Sequence, residues 1–178
     1  MSIVSRFPRD ANSVPIDGFG LVESNTITFT GDDATVATPI FDVTGVVLFN
    51  VIGGVVLTTL GANQTDCHWR INDHTATDEI ITKATTLTLN DAPVGSYIGK
   101  TGLITAVATY ESSAAGSFYE PTTLQTNLFT PFIVGQKTGD IVTHIEWVYT
   151  TTDDPTSGSI EFLVGWLPLS EDANVTVS

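Results

Sequence analysis

A chain of 178 residues has room for one packed domain and an appendage. With 42% hydrophobic and 15% charged residues it is not an intrinsically disordered chain. Its formal net charge of -14 excludes nucleic acid and anionic membrane as partners for most of its surface.

The single cysteine, Cys67, cannot close an internal disulfide. The opening "MSIVSRFPRD" lacks the apolar core of a signal peptide. The longest apolar run, "GVVLFNVIGGVVLTTL", is broken by Asn50, Gly53 and Gly54 and is too short for a membrane-spanning helix. These features predict a soluble protein made in the cytoplasm. The low charge fraction also points to a surface partly covered by another subunit.

The first stretch in chain order, "SRFPRDANSVPI" (Ser5 to Ile16), shows neither a helical nor a strand period. Pro8 and Pro15 restrict φ and pre-extend it, which lowers the entropy lost on docking. Arg6 and Arg9 against Asp10 give residues 1–16 a net charge of +1, which leaves -15 of the total -14 to the rest. A slightly basic tether therefore precedes a strongly acidic body. The following "DGFGLVESN" reads as a turn or hinge. The predicted organisation is an arm and hinge over 1–24 and a body over 25–178.

From "TITFT" (Thr26 to Thr30) the chain reads as strand after strand, rich in Thr, Val and Ile. "ATPIFDVTG" and "GVVLFNVIGGVVLTTL" are apolar on both faces, as in a strand central to a sandwich or covered by a neighbouring subunit. On the second possibility Val46, Val47, Leu48, Phe49, Val51, Val55, Val56 and Leu57 form the expected subunit interface. "CHWRIN", "EIITKATTLTL", "GLITAVATY" and "LFTPFIVG" continue the series, and "ESSAAGSFYEPTTLQTN" is the expected long exposed loop.

The clearest alternation comes last. In "DIVTHIEWVYT", Ile141, Thr143, Ile145, Trp147 and Tyr149 share a face opposite Val142, His144, Glu146 and Val148. In "GSIEFLVGWLPL", Ile160, Phe162, Val164 and Trp166 face away from Glu161, Leu163 and Gly165. The polar link "TTDDPTSG" between them suits a hairpin loop. The whole amounts to about nine strands at sandwich spacing. The predicted fold class is all-β, an antiparallel β-sandwich of jelly-roll or Greek-key type with an extended N-terminal arm. Strand order is not legible from alternation.

Several patterns carry potential chemistry. "DCHWRINDHTATDE" gathers Cys67, His68, Asp73, His74, Asp78 and Glu79, and on a regular strand Asp66 and His68 would share a face. No paired, tightly spaced ligands follow, so the stretch reads as a strand and a polar loop, with no metal site assigned. Asp32-Asp33 and Asp153-Asp154 lack the spacing of a calcium loop and read as turns. The chain has no G-x-S-x-G elbow and no H-E-x-x-H, and His144 sits mid-strand. No pair among the plentiful carboxylates stands out as glycosidase-like. The sequons at Asn63 and Asn174 match by the frequency of Thr. Trp69, Trp147, Trp166 and Tyr149 would suit a sugar platform if exposed, but their strand positions favour core packing. The reading is a non-enzyme without cofactor.

Three stretches carry a resemblance to a known family. "RFPRDANSVPI" resembles an N-terminal R-D-x-N-x-V-P pattern of tailed-bacteriophage virion proteins. "TPIFDVTGVVLFNVIGGVVLTTL" is similar to a strand pair of small phage structural proteins, and "GSIEFLVGWLPLSEDANVTVS" resembles their closing pattern with W-x-P-L-S. Together they cover less than half of the chain, and nothing from about Cys67 to Asn127 contributes. The resemblance implies a capsid decoration, or cement, protein on the virion surface, bound to the major capsid protein and assembled as a homotrimer. In that reading Arg6, Phe7, Pro8, Arg9, Asp10, Asn12, Val14, Pro15 and Ile16 form the capsid-binding arm. The arginines would pair with carboxylates, and Phe7 and Val14 would fill apolar pockets. Nucleic acid and membrane are not expected partners. Two alternatives remain: a carbohydrate-binding adhesion module, with Phe118 and Tyr119 in the long loop as first contacts, and an acid-based hydrolase with two carboxylates facing across a cleft.

Overall fold

The computed structural model of the chain describes residues 20–30, 35–61, 64–74, 78–84, 87–100, 106–111, 131–136, 142–151 and 157–178. Among these residues there are strands and turns and no helix. The strands are β1 (Leu21–Thr28), β2 (Thr35–Thr44), β3 (Val46–Thr58), β4 (Thr65–Asn72), β5 (Glu79–Ile80), β6 (Tyr97–Gly99), β7 (Thr109–Glu111), β8 (Phe132–Gly135), β9 (Thr143–Thr150), β10 (Ser159–Pro168) and β11 (Asn174–Val177). Every pairing is antiparallel. One sheet has six strands in the order β1-β10-β3-β6-β7, with β8 also paired to β3. The other has five, in the order β11-β2-β9-β4-β5. The two sheets pack face to face, and the all-β sandwich expected from the sequence is the fold.

The alternation in β9 and β10 follows from that packing. Ile145 and Trp147 from one sheet and Ile160, Phe162 and Val164 from the other are buried between the layers. Trp147 packs edge-on to Trp69 of β4 at 4.8 Å between ring centroids and reaches Phe162 across the layer at 5.2 Å. Burying each such side chain contributes about 1.5–3 kcal/mol, so this aromatic contact anchors one sheet to the other. The three tryptophans considered for a sugar platform are all core residues, as is Tyr149.

β3 explains why its sequence is apolar on both faces. It is a central strand, with β10 along one edge and β8 and β6 sharing the other. Its register slips twice. Gly165 faces Val51 while Trp166 faces Phe49, which leaves Asn50 as an extra residue. Ser159 faces Thr58 while Ile160 faces Val56, which leaves Leu57 as a second. Each bulge resets the alternation, so Val47, Phe49, Ile52 and Val56 all point into the core despite their uneven spacing.

Two sequence expectations are corrected. Leu21–Ser24, read as hinge, form the first half of β1, with residues alternately half-buried and exposed along the whole strand. The edge position explains the misreading, because an edge strand tolerates polar residues on both faces. The segment between β9 and β10 does not close a hairpin, because those strands lie in different sheets. It carries the chain across the sandwich instead, as polar, Pro- and Gly-containing segments also do. Thr44-Gly45-Val46 makes the same crossing in a tight turn. Gly45 has φ of +63°, and a Cβ there would lie 2.6 Å from both the Ala173 nitrogen and Ser170 Oγ.

Candidate functional site

The arm expected to bind a capsid, Arg6 to Ile16, lies outside the described residues, as do Asp32, Asp33, Asn63, Phe118, Tyr119, Asp153 and Asp154. Its point of attachment is described. Gly20, at φ +74°, precedes edge strand β1, and a Cβ there would press on the Trp166 carbonyl and lie 2.9 Å from Leu167 Cδ2. Residues 1–19 therefore join the body at the rim of the six-stranded sheet.

The expected interface divides in two. Val47, Phe49 and Val56 are fully buried between the sheets and cannot meet a partner in this fold. Val46 and Leu57 are exposed, and Leu48, Val51 and Val55 are half-buried on the outside of the sheet.

The polar side chains with chemical potential gather on the outer face of the five-stranded sheet. Asp42 of β2 and His144 of β9 are register partners, as are Asn72 of β4 and His144, and Arg70 and Glu146. His144 Nδ1 donates to Asp42 Oδ1 at 2.8 Å, and Ser178 Oγ also donates to that oxygen. A serine, a histidine and an aspartate thus meet, but not as a triad. In a triad the serine contacts the imidazole nitrogen opposite the one held by the aspartate. Here Ser178 Oγ lies 3.5 Å from Nδ1, the nitrogen that Asp42 already occupies. The cluster ties the chain end Ser178 to β2 and β9, and Ser178 is not activated by a base.

His74 completes the group. Its backbone nitrogen donates to Asn72 Oδ1 at 2.9 Å, its φ is 60°, and its ring stands 5.1 Å from that of His144. Two imidazoles on one tetrahedral metal have centroids about 5 Å apart, and Asp42 is placed to orient His144. This is the arrangement nearest to a metal site. Among the described residues, no three His, Cys, Asp or Glu side chains come together in a way that could hold an ion.

The stretch Asp66 to Glu79 separates into unrelated parts. A bulge between Thr65 and His68, with Asp66 at φ 54°, breaks the expected alternation. Asp66 and His68 do not share a face: His68 is buried and turns Nδ1 to the Asp66 carbonyl at 2.7 Å. Cys67 points into the core, where burial pushes its thiol far above the ordinary value and the nearby Asp66 charge adds to the effect. It is a protonated core residue, neither ligand nor nucleophile. Asp78 belongs to an ionic pair with Arg70 at 2.7 Å. Arg70 also holds Glu146 at 2.6 Å, and Asn72 donates to the other Glu146 oxygen at 2.9 Å. Glu146, called a face residue from its alternation, is thus a buried carboxylate with both oxygens satisfied.

Lys100, next to β6, is buried. Its Nζ lies 5.7 Å above the Phe132 ring, and burial lowers its affinity for a proton. Phe132 in turn stacks on Phe49 at 5.1 Å, which fixes the short β8 to β3.

Bulges and long-range register decide which of these groups meet. Neither is written in local sequence, so the Asp42–His144–Ser178 cluster carried no signal in the chain.

No family model, curated protein or solved structure matches this chain. The class defined here is therefore structural: an all-β sandwich of two antiparallel sheets.

Proposed function

We propose that the chain is a virion structural protein, a capsid decoration protein that binds the capsid exterior through its N-terminal arm and presents a homo-oligomeric β body. The strand order carries this reading. β1, β10 and β3 lie side by side in one sheet and β2, β9 and β4 in the other, and successive strands from β1 to β4 alternate between sheets. That nesting supports a jelly-roll reading of the sandwich, an architecture of viral capsid and lectin domains. Fold alone does not assign function, so the point at which the arm joins the body matters as much. Gly20, the first described residue after the arm, sits beside Leu167 at the rim of the six-stranded sheet.

The chemistry of the arm suits the role. Arg6 and Arg9 offer charge-assisted bonds to carboxylates, Phe7 and Val14 offer apolar anchors, and repetition in an oligomer multiplies a weak single contact. The lectin side of the same architecture has less support, since Trp69, Trp147 and Trp166 are all spent in the core.

The test is binding of the full chain, and of a chain lacking residues 1–16, to capsids stripped of decoration. The reading expects the full chain to bind and the shortened one to remain folded but unbound. Equal binding by both moves the contact to the body, and binding by neither removes the capsid reading.

A further inference from the structure

The two outer faces of the sandwich are chemically opposite. That of the five-stranded sheet carries Asp42, His144, Glu146 and Arg70 in ionic pairs. That of the six-stranded sheet is apolar along its middle strands, with Ser24, Thr26 and Thr28 on the exposed side of its edge strand β1. The register shows which residues share it. Leu167, Leu48 and Ile133 form one row, Val22, Gly165 and Val51 the next, then Ser24 and Leu163 with Gly53, Gly99 and Thr109, then Thr26, Glu161, Val55, Tyr97 and Glu111. Ile133 is 61% exposed and Val22 59%. Its acidic positions, Glu161 and Glu111, fall in the last of these rows, and the other three rows carry no charged residue, in a chain of net charge -14.

We infer that this face is the contact between two copies of the chain, packed sheet to sheet about a two-fold axis. Three properties select a second copy over another occupant. The first is flatness. Gly53, Gly99 and Gly165 carry no side chain, and the Tyr97 ring lies across the first two, with its Oη 2.9 Å from where a Gly53 Cβ would stand. A flat β surface fits another flat β surface, with layers about 10 Å apart, better than it fits a helix. The second is charge. A cationic partner would be drawn to the acidic remainder of the surface, whereas strongly acidic copies can approach each other only where charge is missing. The third is size. Four strands and about eight residues along them span roughly 20 by 27 Å, on the order of 500 Å² in plan. Side-chain relief brings the accessible area toward the ~800 Å² per partner of a standard interface. A two-fold operation sets this face against itself, so one patch supplies both halves.

This deepens the oligomeric part of the proposed function and departs from the trimer that the family resemblance implies. A three-fold arrangement would set this face against a different one, and the other outer face is ionic. The inference is independent of the capsid, since it concerns the protein alone in solution.

The experiment is the mass of the full-length protein by light scattering and sedimentation at micromolar concentration. The expected mass is twice the 18.9 kDa of the chain. Ile133→Lys and Val22→Lys, both on exposed positions, should each raise the dimer dissociation constant at least 100-fold, with the far-ultraviolet spectrum of the wild type. Val177→Lys, exposed on the other sheet, should leave the dimer intact. A wild-type monomer or trimer overturns the inference, as does a dimer that survives both lysine substitutions. Phe7→Asp in the arm should leave the mass unchanged; a dimer lost through that change and not through Ile133→Lys would make the arm the occupant and overturn it as well. Capsid binding, measured separately, fails or succeeds without reference to these masses.

Discussion

The side-chain amide of Asn25 donates to the backbone carbonyl of Ile40 at 2.8 Å, and this bond ties the edge strand of one sheet to a bulge in the other. Pro39 faces Glu146 and Phe41 faces Ile145, so Ile40 has no partner in β9. Proline has no N–H for the ladder, and a bulge beside it is the usual accommodation. The carbonyl left over is taken by Asn25 and by the Ser178 nitrogen at 3.1 Å.

Removing one of those donors should be measurable. Asn25→Leu is expected to destabilise the fold by about 1–2 kcal/mol, the usual consequence of a half-buried bond lost. The comparison is urea denaturation against Ser24→Ala on the exposed side of the same strand, which should match the wild type.

Gly45 should not accept a side chain without a measurable loss of stability. Alanine there meets both the left-handed backbone penalty and the Ala173 and Ser170 atoms. The expected loss is about 2–4 kcal/mol. Gly135→Ala, with nothing within 4 Å of its Cβ, should cost nothing detectable in the same denaturation experiment.

Glu146 depends on Arg70. Arg70→Met leaves a buried carboxylate without its cation, a change expected to cost about 3 kcal/mol. Replacing both, Arg70→Met with Glu146→Leu, should recover most of that loss, because the desolvation cost leaves with the charge. A double-mutant cycle by chemical denaturation reads the coupling directly, and simple additivity would show that the pair is not coupled.

Cys67 should be silent in the folded protein. Its thiol is raised above the ordinary value of 9.0 by burial, so the folded chain keeps a proton that the unfolded chain releases. Stability contributed by this group is complete below about pH 9 and falls as pH rises above that value. Labelling with a thiol reagent at pH 8 should be at least 100-fold slower in the native protein than in urea. Rapid native labelling would place Cys67 at the surface.

How much of this was legible in the sequence depends on where period and partner coincide. β9 and β10 were readable because one face of each strand rests on the aromatic core, so Ile145, Trp147, Phe162 and Val164 repeat at the period of the pleat. β3 was readable as a strand, but not which of its residues face in, because Asn50 and Leu57 each shift the alternation by one. The same effect at Asp66 dissolved an apparent ligand pair. Alternation also says nothing about which sheet a strand joins, so the segment after Thr150 looked like a hairpin when it is a crossing. The groups around His144 come from β2, β9 and the chain end, and only the folded register brings them together.

Leu21 stands opposite Trp166, and β1 pairs with β10 along its full length. The sandwich is therefore closed by contacts between strands far apart in the sequence, a topology that folds slowly because long loops must close before the pairing rewards them. During synthesis the first eight paired residues wait, edge open, until β10 has left the ribosome. Residues 1–19 are made before any of the body that is to carry them. An arm captured early by a partner would hold a chain whose sheets are still unpaired and prone to join their neighbours. The synthesis of β10 therefore sets the time at which an arm first has a finished body behind it.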